Sequence, residues 1–208
     1  MKDDRSGRIA GVVLAAGTSS RMGKNKLFLP LGGKSVLRRA VGTAAGAGLD
    51  PVLVVLGHES DRAAAELADL SFTKVFNAEY ARGMNTSVRA GISAVPADAS
   101  GAVLMLADMP FVTAEMLREL IDRYRAADAP LVVSTYGDVL APPILYGRAL
   151  FGELRALDGD GCGKRVVKAH RAEAIEVEWP PAALTDLDLP EDVERVRAGI
   201  EGGSSDAG

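Results

Sequence analysis

One stretch of the chain concentrates residues that could hold a polyphosphate. Residues 15–26 read AAGTSSRMGKNK. Ala16, Gly17, Thr18 and Ser19 are small enough for backbone N–H groups to approach an anion closely, and Arg21, Lys24 and Lys26 place up to three cations within six residues. A triphosphate fits that combination, and so does a solvated basic loop with no ligand. Two common phosphate motifs do not fit. A P-loop needs GxxxxGK followed by Ser or Thr, whereas five residues separate Gly17 from Gly23 and Asn25 follows Lys24. The dinucleotide fingerprint GxGxxG is missing too, because Gly46 and Gly48 close a helical pattern without a third glycine.

Three further places could contribute. Asp108 ends the buried run of LMLADMP, where it could serve as one of the few carboxylates Mg²⁺ takes beside substrate phosphates and water, or simply turn the chain before Pro110. Asp186 and Asp188 stand before Pro190, where one could cap a helix. Gly83, Met84 and Ser87 lie where a loop enters a helix beginning near Asn85, so amides and a hydroxyl there could meet a base or phosphate. Asn77 and Tyr80 have packing or turn formation as an equal explanation. Cys162 has no adjoining histidine and reads as an inert small residue; His58 and His170 read as structural or surface residues.

These residues need elements to carry them. Residues 9–15, 52–56, 102–107 and 131–134 are short, nearly continuous apolar runs, the texture of strands buried on both faces. Between them lie helical patterns: one capped by Ser35 with Val36, Leu37, Ala40, Val41 and Ala44 on a stripe, one over about 60–69, one from about Asn85 with Val88, Ile92 and Val95, and one behind Thr113 with Met116, Leu117, Leu120 and Ile121. Alternation of this kind predicts a mostly parallel sheet covered by helices on both faces, a three-layer α/β/α Rossmann-like architecture. In such a sheet the strands deliver the 15–26 loop and Asp108 to one C-terminal edge, where ligands bind. Farther on, Pro142 and Pro143 predict a loop or an edge strand over 139–146. Residues 149–157 and 164–169 read as helical, 173–179 alternate like a half-exposed strand, and Pro190 opens a last helix. The expected organisation is a flexible start over 1–8, one domain over 9–200 and a disordered tail over 201–208.

Composition narrows the function. The chain has 208 residues, 48% hydrophobic and 25% charged, with a formal net charge of −4. That size and composition suit one globular domain. The negative balance argues against nucleic acid or an anionic membrane as a bulk partner. A single cysteine excludes an internal disulfide framework, and with only two histidines a multi-histidine zinc site is not expected. No apolar run reaches the ~20 residues that span a bilayer, and MKDDRSGR lacks a signal-peptide core, so a cytoplasmic location is expected.

LAAGTSSRMGKNKLFLPLGGKSVL, followed by VVLGHES, NAEYARGMNTSVRAG, LMLADMP and DLDLPEDV, resembles the nucleotidyltransferases that activate pyranopterin and sugar phosphates, most closely the molybdenum cofactor cytidylyltransferases. The resemblance covers nearly the whole chain apart from its termini. It implies transfer of a CMP group from CTP to a phosphate acceptor, molybdopterin, with release of pyrophosphate, and a molybdoenzyme or its maturation factor as a downstream partner. It assigns Arg21 and Lys26 to the triphosphate, with Asp108 as a catalytic metal ligand and Asp188 as the second ligand of Mg²⁺. It assigns Ala15, Ala16, Gly17, Thr18, Ser19, Gly83 and Ser87 to the nucleotide. Leu189 stands where the family usually has threonine. Guanylyl-transferring relatives typically carry a glycine where Ala16 stands, and a methyl group there favours a pyrimidine. The acceptor side departs from the pattern: the Gly-x-Pro-x-hydrophobic loop is LAPPIL here, and the GDKGAR-like stretch is GDGCGKR, which keeps Gly159 and Asp160 and offers Lys164 and Arg165 to an acceptor phosphate. The same chemistry on a sugar or alcohol phosphate, or a non-catalytic nucleotide-binding protein for cofactor insertion, are the alternatives; the presence of both Lys26 and Asp108 favours an enzyme.

Overall fold

The computed structural model describes residues 5–17 and 25–185. In chain order the elements are β1 (Ile9–Ala15), β2 (Pro30–Leu31), β3 (Lys34–Ser35), α1 (Val36–Gly46), β4 (Val52–Leu56), α2 (Ser60–Glu66), β5 (Thr73–Phe76), α3 (Met84–Ala94), β6 (Gly101–Leu106), α4 (Ala114–Ala126), β7 (Leu131–Tyr136), β8 (Val139–Gly147), α5 (Phe151–Arg155), α6 (Lys164–Ala169) and β9 (Ile175–Trp179). Among the described residues, seven strands form one sheet in the order β5-β4-β1-β6-β8-β7-β9, and β2 and β3 form a separate hairpin. Strands β5, β4, β1 and β6 run parallel, as does β9 beside β7.

Alternation along the central strands divides their side chains between two cores. Ile9, Val13, Val54, Val103 and Met105 pack on one face with α1 and α4; Ala10, Val12, Leu53, Val55 and Leu104 pack on the other with α3, α5 and α6. Helices therefore cover both faces of a mostly parallel sheet. The helix starts follow side-chain chemistry. Ser35 and Thr113 sit in extended conformation and accept hydrogen bonds from the amides of Arg38 and Met116, satisfying donors that the first turn leaves unpaired.

One expectation is corrected. Strand β8, which holds Pro142 and Pro143, is neither a loop nor an edge but an interior strand, antiparallel to both β6 and β7. Two prolines are tolerated there because the ladder skips them. Val133 pairs with Ile144 and Ser134 with Ala141 across a break in register, while pairing to β6 starts only at Ile144. The proline carbonyls are satisfied by side chains: Ser134 Oγ donates to that of Pro143 at 2.7 Å, and Tyr136 OH to that of Pro142 at 3.0 Å. The helix expected over about 60–69 stops at Glu66, and that over 149–157 splits into a single turn, Arg148–Leu150, and α5. The helix opened by Pro190 and the tail lie outside the described residues.

Candidate functional site at the C-terminal edge of the sheet

Strands β1, β4 and β6 end side by side, and each exit carries a candidate residue. Strand β1 leads into Ala16, which is buried, and the exposed Gly17. Strand β6 leads into Ala107 and Asp108; the Ala107 amide donates to the Leu14 carbonyl at 3.1 Å, which fixes the start of this turn against β1. Lys26 opens a single helical turn, Lys26–Phe28, capped by Asn25, whose side-chain oxygen accepts from the Leu27 amide at 3.2 Å. From this turn Lys26 reaches back over the sheet edge, and its Nζ lies 2.6 Å from Asp108 Oδ2. Both side chains are largely withdrawn from water, at 14% and 21% exposure. Charges this close and this sheltered interact more strongly than a solvated pair. The structure thus brings together two residues that the sequence separates widely.

The β4 exit supplies Gly57, His58 and Glu59. The His58 amide donates to the Ala16 carbonyl at 3.4 Å, and Asn25 Nδ2 donates to Glu59 Oε2 at 2.9 Å. Glu59 adopts a left-handed conformation, with φ 50°, that few side chains tolerate. Arg62 Nη1 donates to its other oxygen at 2.9 Å, and the Arg62 guanidinium stacks 3.9 Å from the Phe28 ring centre. These hydrogen bonds, with that of Arg62 first, hold the Glu59 carboxyl below the usual carboxylate range.

At the start of α3 the helix and the 158–163 loop lock together. Gly83 has φ 119°, and a Cβ there would sit 2.6 Å from the Gly159 carbonyl, so both the conformation and the close approach require glycine. The Met84 amide donates to Asp160 Oδ1 at 3.2 Å and the Asn85 amide to the Gly159 carbonyl at 2.9 Å. Asn85 Nδ2 donates to the carbonyls of Asp158 and Asp160, both at 2.9 Å, and its oxygen accepts from the Gly163 amide at 3.1 Å. The helix-start amides expected to face a ligand therefore have partners within the chain at Met84 and Asn85. Ser87 is buried; Asn77 Nδ2 donates to its hydroxyl and to that of Thr86, each at 2.9 Å. Asn77 also receives the Glu79 amide on its side-chain oxygen and gives its own amide to Leu56, so it ties the end of β4 to α3.

The 158–163 loop also reaches the electrostatic field of Asp108. The Cys162 thiol is pushed up to about 12, by burial first and then by the Asp108 carboxylate. A neutral thiol of this kind is neither a nucleophile nor a soft metal ligand at neutral pH. His170 lies outside this cluster: its ring nitrogens meet Glu153 at 2.9 Å and Glu173 at 3.2 Å, and the Glu153 contact leads in holding it protonated to higher pH.

Of the residues singled out in the sequence, Ala15, Ala16, Gly17, Lys26 and Asp108 gather at one sheet edge, with Gly83 just before the neighbouring α3 and Ser87 in its first turn. Thr18, Ser19, Arg21 and Asp188, with Lys24 and Asp186, lie outside the described residues. Sequence reasoning missed Asn25, Glu59 and the clamping side chain of Asn85. Asparagine is a frequent cap, and that alone could have singled out Asn25. Among the described residues no group of three or more His, Cys, Asp or Glu side chains could hold a metal ion. No described helix is long and apolar enough to cross a membrane.

Residues 11–174 match the MobA-like NTP transferase domain family. The chain is 32% identical over 205 residues to the purine catabolism protein PucB of Bacillus subtilis, covering 93% of this chain and 98% of that protein. It is 35% identical over 169 residues to the bifunctional protein GlmU of Leifsonia xyli, of which it spans only 34%. Among solved structures, Rv0371c of Mycobacterium tuberculosis superposes with a TM-score of 0.81 at 32% identity, covering 91% of this chain and 97% of that one, and its complex with manganese superposes at 0.76. The molybdopterin-guanine dinucleotide biosynthesis protein A of Archaeoglobus fulgidus shares the fold, at a TM-score of 0.67 and 16% identity over 93% of this chain and all of that one.

Proposed function

Because the chain belongs to the MobA-like NTP transferase domain family and is a nucleotidyltransferase, we propose that it moves a CMP group from CTP to the phosphate of molybdopterin. The observation that carries this reading is the 2.6 Å contact of Lys26 with Asp108 at the edge where β1 and β6 end. Such a sheltered cation suits the phosphates that leave, and a carboxylate beside it suits a hard divalent ion. The acceptor phosphate attacks the α-phosphorus in line, and pyrophosphate departs. No covalent intermediate on the protein is required, so the protein's part is placement and charge compensation. Lys26, with Arg21, holds the β- and γ-phosphates. Backbone amides of Gly17, Thr18 and Ser19 support them, and Ala15, Ala16, Gly83 and Ser87 face the base. The methyl group of Ala16, buried at the end of β1, favours the smaller pyrimidine.

Mg²⁺ fits this donor set. Asp108 offers one hard oxygen ligand, the adjoining thiol is neutral, and Mg²⁺ takes one or two carboxylates and completes its shell with phosphates and water. When bound, it would neutralise charge on the triphosphate, held by Asp108 and Asp188. The test is pyrophosphate release from CTP and Mg²⁺ with a panel of acceptors: molybdopterin, sugar phosphates and alcohol phosphates. Release with molybdopterin supports the reading. Release only with another acceptor reassigns the substrate, and none with any acceptor refutes it.

A further inference from the structure

The turn leaving β4 contacts the chain at two points, Ala16 ahead of residues 18–24 and Asn25 after them. At the first, the His58 amide donates to the Ala16 carbonyl at 3.4 Å. At the second, Glu59 Oε2 accepts from Asn25 Nδ2 at 2.9 Å. Asn25 is in turn the cap of the turn that carries Lys26, through its oxygen on the Leu27 amide. Glu59 is itself held: Arg62 binds its second oxygen and stacks on Phe28 of the same turn, and the backbone bends into a left-handed conformation at φ 50° where the side chain leaves it. Residues other than glycine rarely adopt that conformation, and here the two side-chain contacts of Glu59 accompany it.

We propose that Glu59 is a positioning residue of nucleotidyl transfer: its carboxylate orients Asn25, and through it the Lys26 turn, so that the Lys26 ammonium meets the triphosphate. This rests on the reading of Lys26 as a phosphate ligand. Lysine is a flexible point charge, and its use in a site depends on how firmly its backbone is anchored. Glu59 acts on the site through Asn25. Its effect is confined to where Lys26 starts from.

The hydrogen bond has a polarity that can be reversed, which gives a test that a merely structural role would not satisfy. Asn25→Asp keeps the oxygen that caps Leu27 but sets a second carboxylate against Glu59. Adding Glu59→Gln restores a donor and acceptor in the opposite sense. The readout is equilibrium binding of inorganic tripolyphosphate with Mg²⁺, a probe of the phosphate site that is blind to the base and to the acceptor, alongside thermal melts that confirm folding. Asn25→Asp and Glu59→Ala are each expected to weaken binding three- to tenfold. The Asn25→Asp/Glu59→Gln pair is expected to return it to within about twofold of wild type. In a Lys26→Ala background, Glu59→Ala is expected to cost nothing further. Equal losses from Glu59→Ala with and without Lys26, or no recovery in the reversed pair, overturn the role of Glu59 while leaving Lys26 as a phosphate ligand. Unchanged binding in Lys26→Ala alone overturns both. If Glu59→Ala does not fold, the Asn25→Asp single and reversed-pair variants decide the matter.

Discussion

Replacing Asp108 by asparagine should separate its structural task from its chemical one. Asn keeps the shape and an oxygen that can accept from Lys26 Nζ, but it removes the charge. The pair is intermediate in burial, with side chains 14% and 21% exposed. Exposed pairs contribute about 0.2–1 kcal/mol, whereas breaking a buried pair from one side costs about 3–5 kcal/mol. Partial exposure and the retained hydrogen bond place Asp108→Asn near the lower limit, at about 1–2 kcal/mol. In a chain of this length that corresponds to a Tm lowered by about 2–8 °C. Pyrophosphate release should fall far more, by at least about a hundredfold, or ~2.7 kcal/mol of barrier, if the carboxylate holds the metal beside the phosphates as proposed. Differential scanning calorimetry and a coupled pyrophosphate assay on the same preparation report both quantities. Activity within tenfold of wild type would remove Asp108 from the reaction. A Tm unchanged within about 1 °C would show that the ion pair contributes nothing in solution.

Gly91 of α3 lies so close to the sheet that an added Cβ would be 2.4 Å from Val12 Cγ1; Gly91→Ala should therefore cost about 1–3 kcal/mol through overpacking, visible as a lowered Tm, and an unchanged Tm contradicts the packing described. His170 is raised above its ordinary pKa of ~6.5 by Glu153 first, against some burial, and then by Glu173. Its contribution to stability is thus fully present below ~6.5 while both glutamates are ionised, and is lost as pH rises through the raised value. His170→Gln should lower the urea midpoint at pH 6 and leave it nearly unchanged at pH 9, and equal shifts at both would contradict the two contacts. With its thiol at about 12, Cys162 should carry on the order of 10³-fold less thiolate at pH 8 than an ordinary cysteine. Iodoacetamide should therefore label the folded protein far more slowly than the urea-unfolded one; comparable rates would place Cys162 outside the core.

Most of the scaffold was legible because its signals are local. The apolar run over residues 9–15 is β1 itself, the capping serine and threonine sit where Ser35 and Thr113 were expected, and 164–169 is the helix α6. The failures are of two kinds. Proline rules misplaced β8, because Pro142 and Pro143 escape the ladder as two extra residues of β8 opposite the Val133–Ser134 step of β7, a feature of the pairing that residues 139–146 do not show by themselves. Strand β5 and the β2–β3 hairpin were missed because they are short, and β5 exposes most of its side chains, Phe76 included. In the candidate site, the 15–26 loop and Asp108 could be placed together in advance because strand ends in a parallel sheet converge on one edge. Asn25 and Glu59 could not, since 34 residues separate them and nothing in either neighbourhood marks the other. The grip of Asn85 on the 158–163 loop spans still longer separations, 73 to 78 residues, for the same reason.

The fate of each phosphate tests nucleotidyl transfer most directly. CTP labelled at the α-phosphorus, and separately at the γ-phosphorus, is incubated with molybdopterin, Mg²⁺ and the protein, and the products are resolved by chromatography. Attack at the α-phosphorus predicts that the α-label enters the acceptor product and that the γ-label appears only in pyrophosphate, with both signals falling together in Lys26→Ala. A γ-label found on the acceptor, or released as orthophosphate, would contradict attack at the α-phosphorus and make the Lys26–Asp108 edge a site of phosphoryl transfer or hydrolysis instead.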